Sequence, residues 1–465
     1  MPEMRLYNTL ERATVPFVPA IPGRVSIYLC GPTVQSEPHL GHGRSAVAFD
    51  VLYRYLRWVG YEVEFVRNVT DIDDKIIARA NELGVTVDQV AAEASAAFSG
   101  ANERLGNLRP TEEPLATEHI PEMIEMIGML IDSGHAYEAE GNVYFAVRSF
   151  AEYGKLSRHD LGDLRAGERV EIDDRKRDPL DFALWKAAKP GEPSWESPWG
   201  GGRPGWHIEC SVMAREYLGD GFDIHGGGSD LIFPHHENEI AQSEAVTGKT
   251  FARNWMHNGM LNLSGEKMAK STGHVVTLLG ALDEWDPLAV RLFYLRTHYR
   301  KPLDYSVSAL VDAEASLGRL RAFRRRSDTG PEGSAHPDIL DRFKDAMDDD
   351  LDVAGALAVV FDTVRQGNVA LDAGKDISSL VAAFDEMMEV LGLTAREIVE
   401  ADDGSVAALA QEFGIAGGSV EDLLDLRAEA RRDEDWETAD AIRVGLLGLD
   451  ITIEDTADGA RWHRN

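Results

Sequence analysis

The sequence predicts a doubly wound, parallel-sheet (Rossmann-like) α/β catalytic domain that is split by an insertion and followed by an α-helical C-terminal domain. Three observations carry this. A strand, loop, helix and strand succeed one another between residues 24 and 66. The same βα pattern returns near residue 221 after a long interruption. Beyond about Asp286 strand signals fade while helical spacing persists.

Arg24 to Cys30 is a short apolar, β-rich run, followed by a turn segment holding Gly31, Pro32 and Pro38. Apolar residues at Val47, Val51, Leu52, Tyr55 and Leu56 give Arg44 to Val59 helical spacing, and Tyr61 to Val66 alternates as a strand does. A right-handed βαβ unit is the economical reading. Residues 76 to 135 read mainly as helices and 141 to 147 as a strand. Lys189 to Trp206 holds four prolines, five glycines and three tryptophans, which excludes regular structure, while the tryptophans argue against a loose linker. A second strand, Gly221 to His225, leads through three glycines into a helix from near Pro234. Ser306–Arg326, Asp338–Asp372 and Ile377–Leu391 read as helices with acidic outer faces; one last helix, Ser419–Leu447, precedes a strand-like tail, Ile451–Glu454. The expected divisions are 1–115 and 221–290 for the halves of the catalytic domain, 116–220 for the insertion, 291–330 for a helical junction and 331–465 for the C-terminal domain.

Composition bounds the function. The 465 residues carry 80 acidic and 47 basic side chains, a net charge of −33, with 44% apolar residues, which excludes wholesale disorder. No run approaches the roughly 18 apolar residues of a membrane span, and the first ten residues do not read as a secretion signal. Two cysteines are too few for a disulfide framework, so a reducing compartment, the cytoplasm, is expected, with no membrane partner. The acidic balance argues against binding nucleic acid over the whole surface, but it does not constrain a local patch. With 36 arginines and only 11 lysines, two neighbouring lysines are uncommon in this chain.

Two motifs carry chemistry. His39-Leu40-Gly41-His42 stands between a strand and a helix, where unpaired amides and the helix dipole attract phosphate; the rival reading is a pair of turn and capping residues. Lys267-Met268-Ala269-Lys270-Ser271 lies among turn residues and brings two ammonium groups suited to a triphosphate; the rival is a solvated charged loop. Neither Cys30 nor Cys210 has a CxxC partner. His235 and Glu239, four residues apart, share one helix face. Thiolate, imidazole and carboxylate all suit zinc, although a lone cysteine is commonly a small buried hydrophobe.

Together these residues resemble the HIGH and KMSKS signatures of class I aminoacyl-tRNA synthetases, and the cysteinyl-tRNA synthetase family in particular. The likeness extends through Cys30-Gly31-Pro32-Thr33, NVTDIDDKI (68–76), RDPLDFALWK (177–186), GRPGWHIEC (202–210) and GGGSDLIFPHHENEIAQSE (226–244). Leu40 replaces isoleucine and Ala269 the first serine of KMSKS. The resemblance implies one Zn²⁺ held by Cys30, Cys210, His235 and Glu239, which separates cysteine from near-isosteric serine because a thiolate binds zinc better than a hydroxyl does. It also implies that His39, His42, Lys267 and Lys270 act on ATP phosphates with Mg²⁺ as counter-ion, near Gly41.

Further assignments follow from the resemblance. Trp206 closes over the amino acid, unless it is a packing anchor; Asp230 meets the ATP ribose, unless it caps a helix; Thr70, with Asp71, meets the amino-acid end. His236 points about 100° away from His235 on a helix and is not counted as a ligand. For tRNA, the run Arg319, Arg321, Arg324, Arg325 and Arg326 suits phosphates or is merely a solvated face. Trp436 and Asp440 resemble an anticodon-reading segment, though an isolated tryptophan reads as core. The implied activity is ATP-dependent formation of cysteinyl-adenylate and transfer to the terminal adenosine of cysteine tRNA, by a monomer. One alternative is the related ligase of the mycothiol pathway, which joins cysteine to an amino sugar; another is a non-catalytic module that has kept the fold.

Overall fold

The computed structural model describes residues 4–159, 173–263, 277–327 and 334–394, and beyond them 406, 409–411, 413–415, 419–432, 435–447, 449, 451–456 and 459–464. The chain opens with an antiparallel hairpin, β1 (Arg5–Asn8) and β2 (Ala13–Pro16). Then β3 (Arg24–Leu29), α1 (Leu40–Trp58) and β4 (Glu62–Arg67) form the βαβ unit, paired in parallel from Arg24–Glu62 to Leu29–Arg67. The β3 run is apolar because it lies inside a covered sheet, with Ile27 and Tyr28 fully buried. Helix α1 starts four residues before the Arg44 expected from spacing, because His39 caps it. Next come α2 (Asp74–Leu83), ended by a left-handed Gly84, and α3 (Val87–Arg104), opened by a Thr86–Gln89 capping box. Helix α4 (Ile120–Asp132) leads into the insertion.

The insertion is a four-stranded antiparallel sheet, β5 (Ala136–Ala139), β6 (Asn142–Phe145), β7 (Phe182–Ala187) and β8 (Gly202–Pro204), in sequence order. Spacing alone shows only β6, and the segment read as irregular supplies β8. Its glycines make this possible: a side-chain carbon at Gly202 would stand 2.2 Å from the Trp185 indole nitrogen, and one at Gly205 2.0 Å from the Ala183 carbonyl. Trp199 packs edge-on against the buried Trp185 at 6.1 Å.

After α5 (Trp206–Leu218) the parallel sheet resumes with β9 (Phe222–Gly228), α6 (Glu237–Thr247) and β10 (Ala252–Asn258). The completed sheet runs β10-β9-β3-β4, so β9 lies beside β3 and the two halves share one sheet. The chain continues through β11 (Leu261–Leu263), α7 (Leu278–Glu284), α8 (Pro287–Leu295) and β12 (Leu303–Tyr305), which pairs with β11, to α9 (Val307–Arg326), α10 (Pro337–Asp348), α11 (Val353–Asp372) and α12 (Ser378–Val390). The stretch Asp338–Asp372, which reads as one helical segment, is broken between α10 and α11, where Asp350 and Leu351 are left-handed at φ 58° and 53°.

Residues 1–394 form one compact unit and 395–465 a second. In the first, a single core runs from Ile27, Leu52 and Phe65 to Phe323, Phe343 and Met387, and another core covers the opposite sheet face around Tyr28, Trp185 and Trp255. The second unit packs α13 (Val420–Arg432) and α14 (Trp436–Leu447) through Leu423, Ile442 and Leu446 and adds an antiparallel hairpin, β13 (Ile451–Thr456) with β14 (Gly459–Arg464). The expected single helix Ser419–Leu447 is therefore two, because Asp435 caps a fresh start by accepting from the Thr438 amide (3.1 Å) and hydroxyl (2.7 Å). Among the described residues, no helix is long and apolar enough to cross a membrane.

Candidate active site and metal centre

The carboxyl ends of β3, β4 and β9 carry the chemistry, as open parallel sheets dictate. Cys30 directly follows β3 and donates its amide to Gly226 of β9 (3.1 Å). The next residue must be glycine, since a side-chain carbon on Gly31 would fall 1.6 Å from the Asn68 carbonyl oxygen. The turn after it is joined to the segment beyond β4 by Thr70 N to Pro32 O and Val34 N to Thr70 O, both 3.1 Å. Thr70 is buried, and its hydroxyl donates to Glu209 at 2.9 Å.

Four donors converge on this corner. Cys30 Sγ lies 3.6 Å from Cys210 Sγ and 3.4 Å from Glu239 Oε1, and His235 Nε2 lies 3.1 Å from that same oxygen. One ligand atom from each of the four residues falls within 4.8 Å of the others. Cys210 comes from the first turns of α5 and Glu239 from α6. His235 belongs to a π-helical turn, Ile232–His236, preceding α6. That turn brings His236 to the same pocket, 3.9 Å from Glu239 Oε1, although a regular helix would direct it away. A second overlapping quartet, Cys30, His225, His236 and Glu239, therefore exists.

Each quartet has its own outer contacts. His225 Nε2 bonds Glu239 Oε2 at 2.8 Å, which fixes the carboxylate and leaves Oε1 facing Cys30 and His235. His236 Nδ1 is engaged by His257 Nε2, also at 2.8 Å. His207 Nδ1 meets His235 Nδ1 at 2.9 Å, an outer partner of the sort that orients a ligating imidazole. Burial pushes the Cys30 and Cys210 thiols up and holds His235 well below its usual value. The imidazole is thus already in its ligating, neutral form, whereas the two thiols are kept protonated and would ligate as thiolates only by giving up their protons to a bound cation. The donor set fits a zinc ion. Trp206, the first residue of α5, stacks on the His235 ring at 4.2 Å.

His39 and His42 share the N-terminal turn of α1 with stacked rings 3.8 Å apart. His39 Nδ1 accepts from the Gly41 amide and His42 Nδ1 from the His39 amide, each at 3.1 Å. Burial lowers both pKa values, that of His42 to about 4, with the His39 ring adding to the effect there; for His39 the Asp230 charge partly opposes burial. Both rings are therefore neutral at pH 7. Since their Nδ1 atoms accept backbone protons, each carries its own proton on Nε2, as a donor. Asp230 stands exposed in the short turn after β9, within electrostatic reach of His39. Lys267, Ala269, Lys270 and Ser271 lie outside the described residues. The first described residues beyond them meet the histidine turn: Thr277 bridges His39, and the Leu278 amide donates to Pro38 (2.8 Å).

The candidate tRNA residues fall in both units, Arg321 to Arg326 in the first and Trp436 and Asp440 in the second. Arg324 on α9 pairs with Asp385 of α12 at 2.8 Å, Arg326 reaches Asp372 (2.8 Å), and Arg321 pairs with Asp286, whereas Arg325 is exposed. In the second unit Trp436 is 58% exposed at the start of α14, and Asp440 is exposed one turn later, 3.7 Å from Arg443. Sequence reasoning missed His225, His207, Glu209 and Asn68. Only a position within the motif blocks hinted at a role for His207, Glu209 and Asn68, and His225, one residue before the last block, had not even that; each is defined by a partner elsewhere in the chain.

Residues 16–315 match the family model described as the tRNA synthetases class I (C) catalytic domain, 342–395 the DALR domain and 416–462 the cysteinyl-tRNA ligase anticodon binding domain. The chain is 47% identical over 482 residues to a cysteine–tRNA ligase of Trichlorobacter lovleyi, covering 99% of each chain. It is 50% identical over 465 residues to a cysteine–tRNA ligase of Methylobacillus flagellatus, covering 99% of this chain and 100% of that one. Among solved structures, Mycobacterium tuberculosis methionyl-tRNA synthetase in complex with methionyl-adenylate superposes with a TM-score of 0.56 at 17% identity, over 80% of this chain and 90% of that one, a likeness of fold alone.

Proposed function

The chain belongs to the class I cysteinyl-tRNA synthetase family, and on that premise we propose that it activates L-cysteine with ATP as cysteinyl-adenylate and passes the cysteinyl group to the 3′-terminal adenosine of cysteine tRNA. The observation that carries the reading beyond the family is the meeting of two thiols, an imidazole and a carboxylate at the carboxyl end of β3, the strand that the chain leaves to enter the histidine turn of α1.

Cys30, Cys210, His235 and Glu239 would hold zinc. When bound, the metal supplies a soft Lewis acid that favours the cysteine thiolate over the serine hydroxyl. Thr70, held by Glu209, and Trp206, stacked on His235, line the place for the amino acid. In activation, a carboxylate oxygen of cysteine attacks the α-phosphorus and the bond to the departing pyrophosphate breaks, with no covalent enzyme intermediate. Positioning and charge stabilisation do the rest. His39 and His42 donate from Nε2 to phosphate oxygens, Gly41 keeps the helix start open to the nucleotide, and Asp230 takes the ribose hydroxyls. Lys267 and Lys270, with Mg²⁺, balance the triphosphate charge. Trp436 and Asp440 read the anticodon, and Arg325, with Arg324, meets tRNA phosphates. The protein acts as a cytoplasmic monomer.

The match to an anticodon-binding domain at 416–462 favours a tRNA acceptor over an amino sugar. The test is cysteine- and serine-dependent ATP–pyrophosphate exchange beside a zinc assay, then aminoacylation of total tRNA. Expected are one zinc, strong preference for cysteine, loss of both in Cys210→Ser, and charging of tRNA. Exchange without zinc would overturn the metal assignment; exchange without charging would restore the amino-sugar ligase; no exchange at all would leave only the non-catalytic module.

A further inference from the structure

We propose that residues His298–Lys301, between α8 and β12, form a strut that positions the histidine turn of α1, with Arg44 and Asp350 as its two clamps. Arg44 stands two residues beyond His42 and is only 2% exposed. Its guanidinium donates to the Lys301 carbonyl and lies 3.3 Å from that of Tyr299, 3.4 Å from that of His298 and 3.5 Å from that of Met260. Among the described residues no carboxylate pairs with it. A buried cation satisfied by carbonyls alone is a costly way to fill space, since an apolar side chain of that length would pack without desolvating a charge. What the guanidinium adds is geometry: one rigid fork holds three strut carbonyls against the helix that carries His39 and His42. The Tyr294 hydroxyl, donating to Leu40 O at 2.9 Å, grips the same turn.

Three side chains of the strut meet Asp350. Tyr299 Oη donates to Asp350 Oδ1 (2.8 Å), Arg300 Nε donates to Asp350 Oδ2 (2.7 Å), and His298 Nε2 lies 3.6 Å from that oxygen. Asp350 also accepts from the Tyr7 amide (2.8 Å), and its own amide donates to Arg5 O (2.9 Å). It sits in the left-handed break between α10 and α11, so the helical region that follows the catalytic domain reaches the turn of α1 through four residues. The strut is rigid because its carbonyls and its side chains are held at once.

The proposal rests on the activation chemistry above, and the test separates the two. In the full chain, Arg44→Met, Asp350→Asn, the double variant and Arg44→Lys are compared by exchange kcat, KM for ATP and cysteine, bound zinc and thermal midpoint, well below melting. Each single variant should lower kcat by about tenfold or more, with KM for cysteine and zinc unchanged. Arg44→Lys should recover part of the loss, and the double variant should be no slower than the slower single, since the two clamps act through one element. If Arg44→Met does not fold, Tyr299→Phe, which deletes only the hydroxyl on Asp350, should cost about two- to tenfold in kcat. A normal kcat in folded variants, or losses that multiply, would overturn the strut. Absence of exchange in the unaltered chain would overturn the activation reading and the strut with it.

Discussion

His42 shows how one side chain's surroundings set its chemistry. An exposed imidazole titrates near pH 6.5, whereas burial under α3, beside Phe98 and the His39 ring, lowers His42 to about 4. The unfolded chain therefore takes up the proton first as pH falls, so the stability linked to this ring is fully present above pH 6.5 and is lost between pH 6.5 and 4, about 3 kcal/mol in all. Urea unfolding of the wild type and His42→Gln at pH 7 and pH 4 checks this: the substituted protein should lose about that much less on acidification, and equal losses would contradict it. HLGH is legible in the sequence as the turn between a strand and a helix. The state of its protons is not, because it depends on which backbone amides point at each Nδ1.

At the scale of the element, close approach decides more than propensity does. Cys30 reaches the metal corner because Gly31 lets the end of β3 lie against the Asn68 carbonyl, to whose side chain the Gly31 amide also donates (2.9 Å). Gly31→Ala would force the two segments apart, at about 1–3 kcal/mol. Its thermal midpoint and zinc content should fall together, and retention of full zinc in a stable protein would show that the contact is dispensable. The helix around His235 follows the same logic. Spacing on an ideal helix puts His235 and Glu239 on one face, as found, and turns His236 away, whereas the π-helical turn, which cannot be read from residue types, brings it to the same pocket. Beyond β6 the sheet of the insertion is also illegible: β7 lies in a block that resembles its family without an alternating pattern, and β8 depends on glycines that let two backbones touch.

For the molecule as a whole, two separately packed units divide the work the family requires, the first holding the activation machinery and the second an exposed tryptophan on a short helix. An indole that is 58% exposed beside a turn is available for stacking on an unpaired base. Trp436→Ala should lower kcat/KM for tRNA charging by an amount matching about 1–3 kcal/mol, with pyrophosphate exchange unchanged. A loss in exchange as well would mean that the ring supports the fold instead. The net charge of −33 opposes long-range attraction of a polyanion, which is why the test is placed on a local stacking contact.

The sequence by itself determined the class of the fold and the order of its parts, which follow from spacing, and the family, which follows from long motif blocks; the quartet of residue types suited to zinc came only with that resemblance. Tertiary structure alone decided that Cys30 and Cys210, 180 positions apart, stand 3.6 Å from each other, that His225 holds the second oxygen of Glu239, and that Arg44 meets His298–Lys301. The reason is physical. A parallel sheet joins strands from distant parts of the chain and carries the helices that follow them, so residues on its strands or at their ends, such as His225 and Cys30, meet residues of helices packed over the sheet, such as Cys210 and Glu239, through packing of the whole core rather than through any residue near the site.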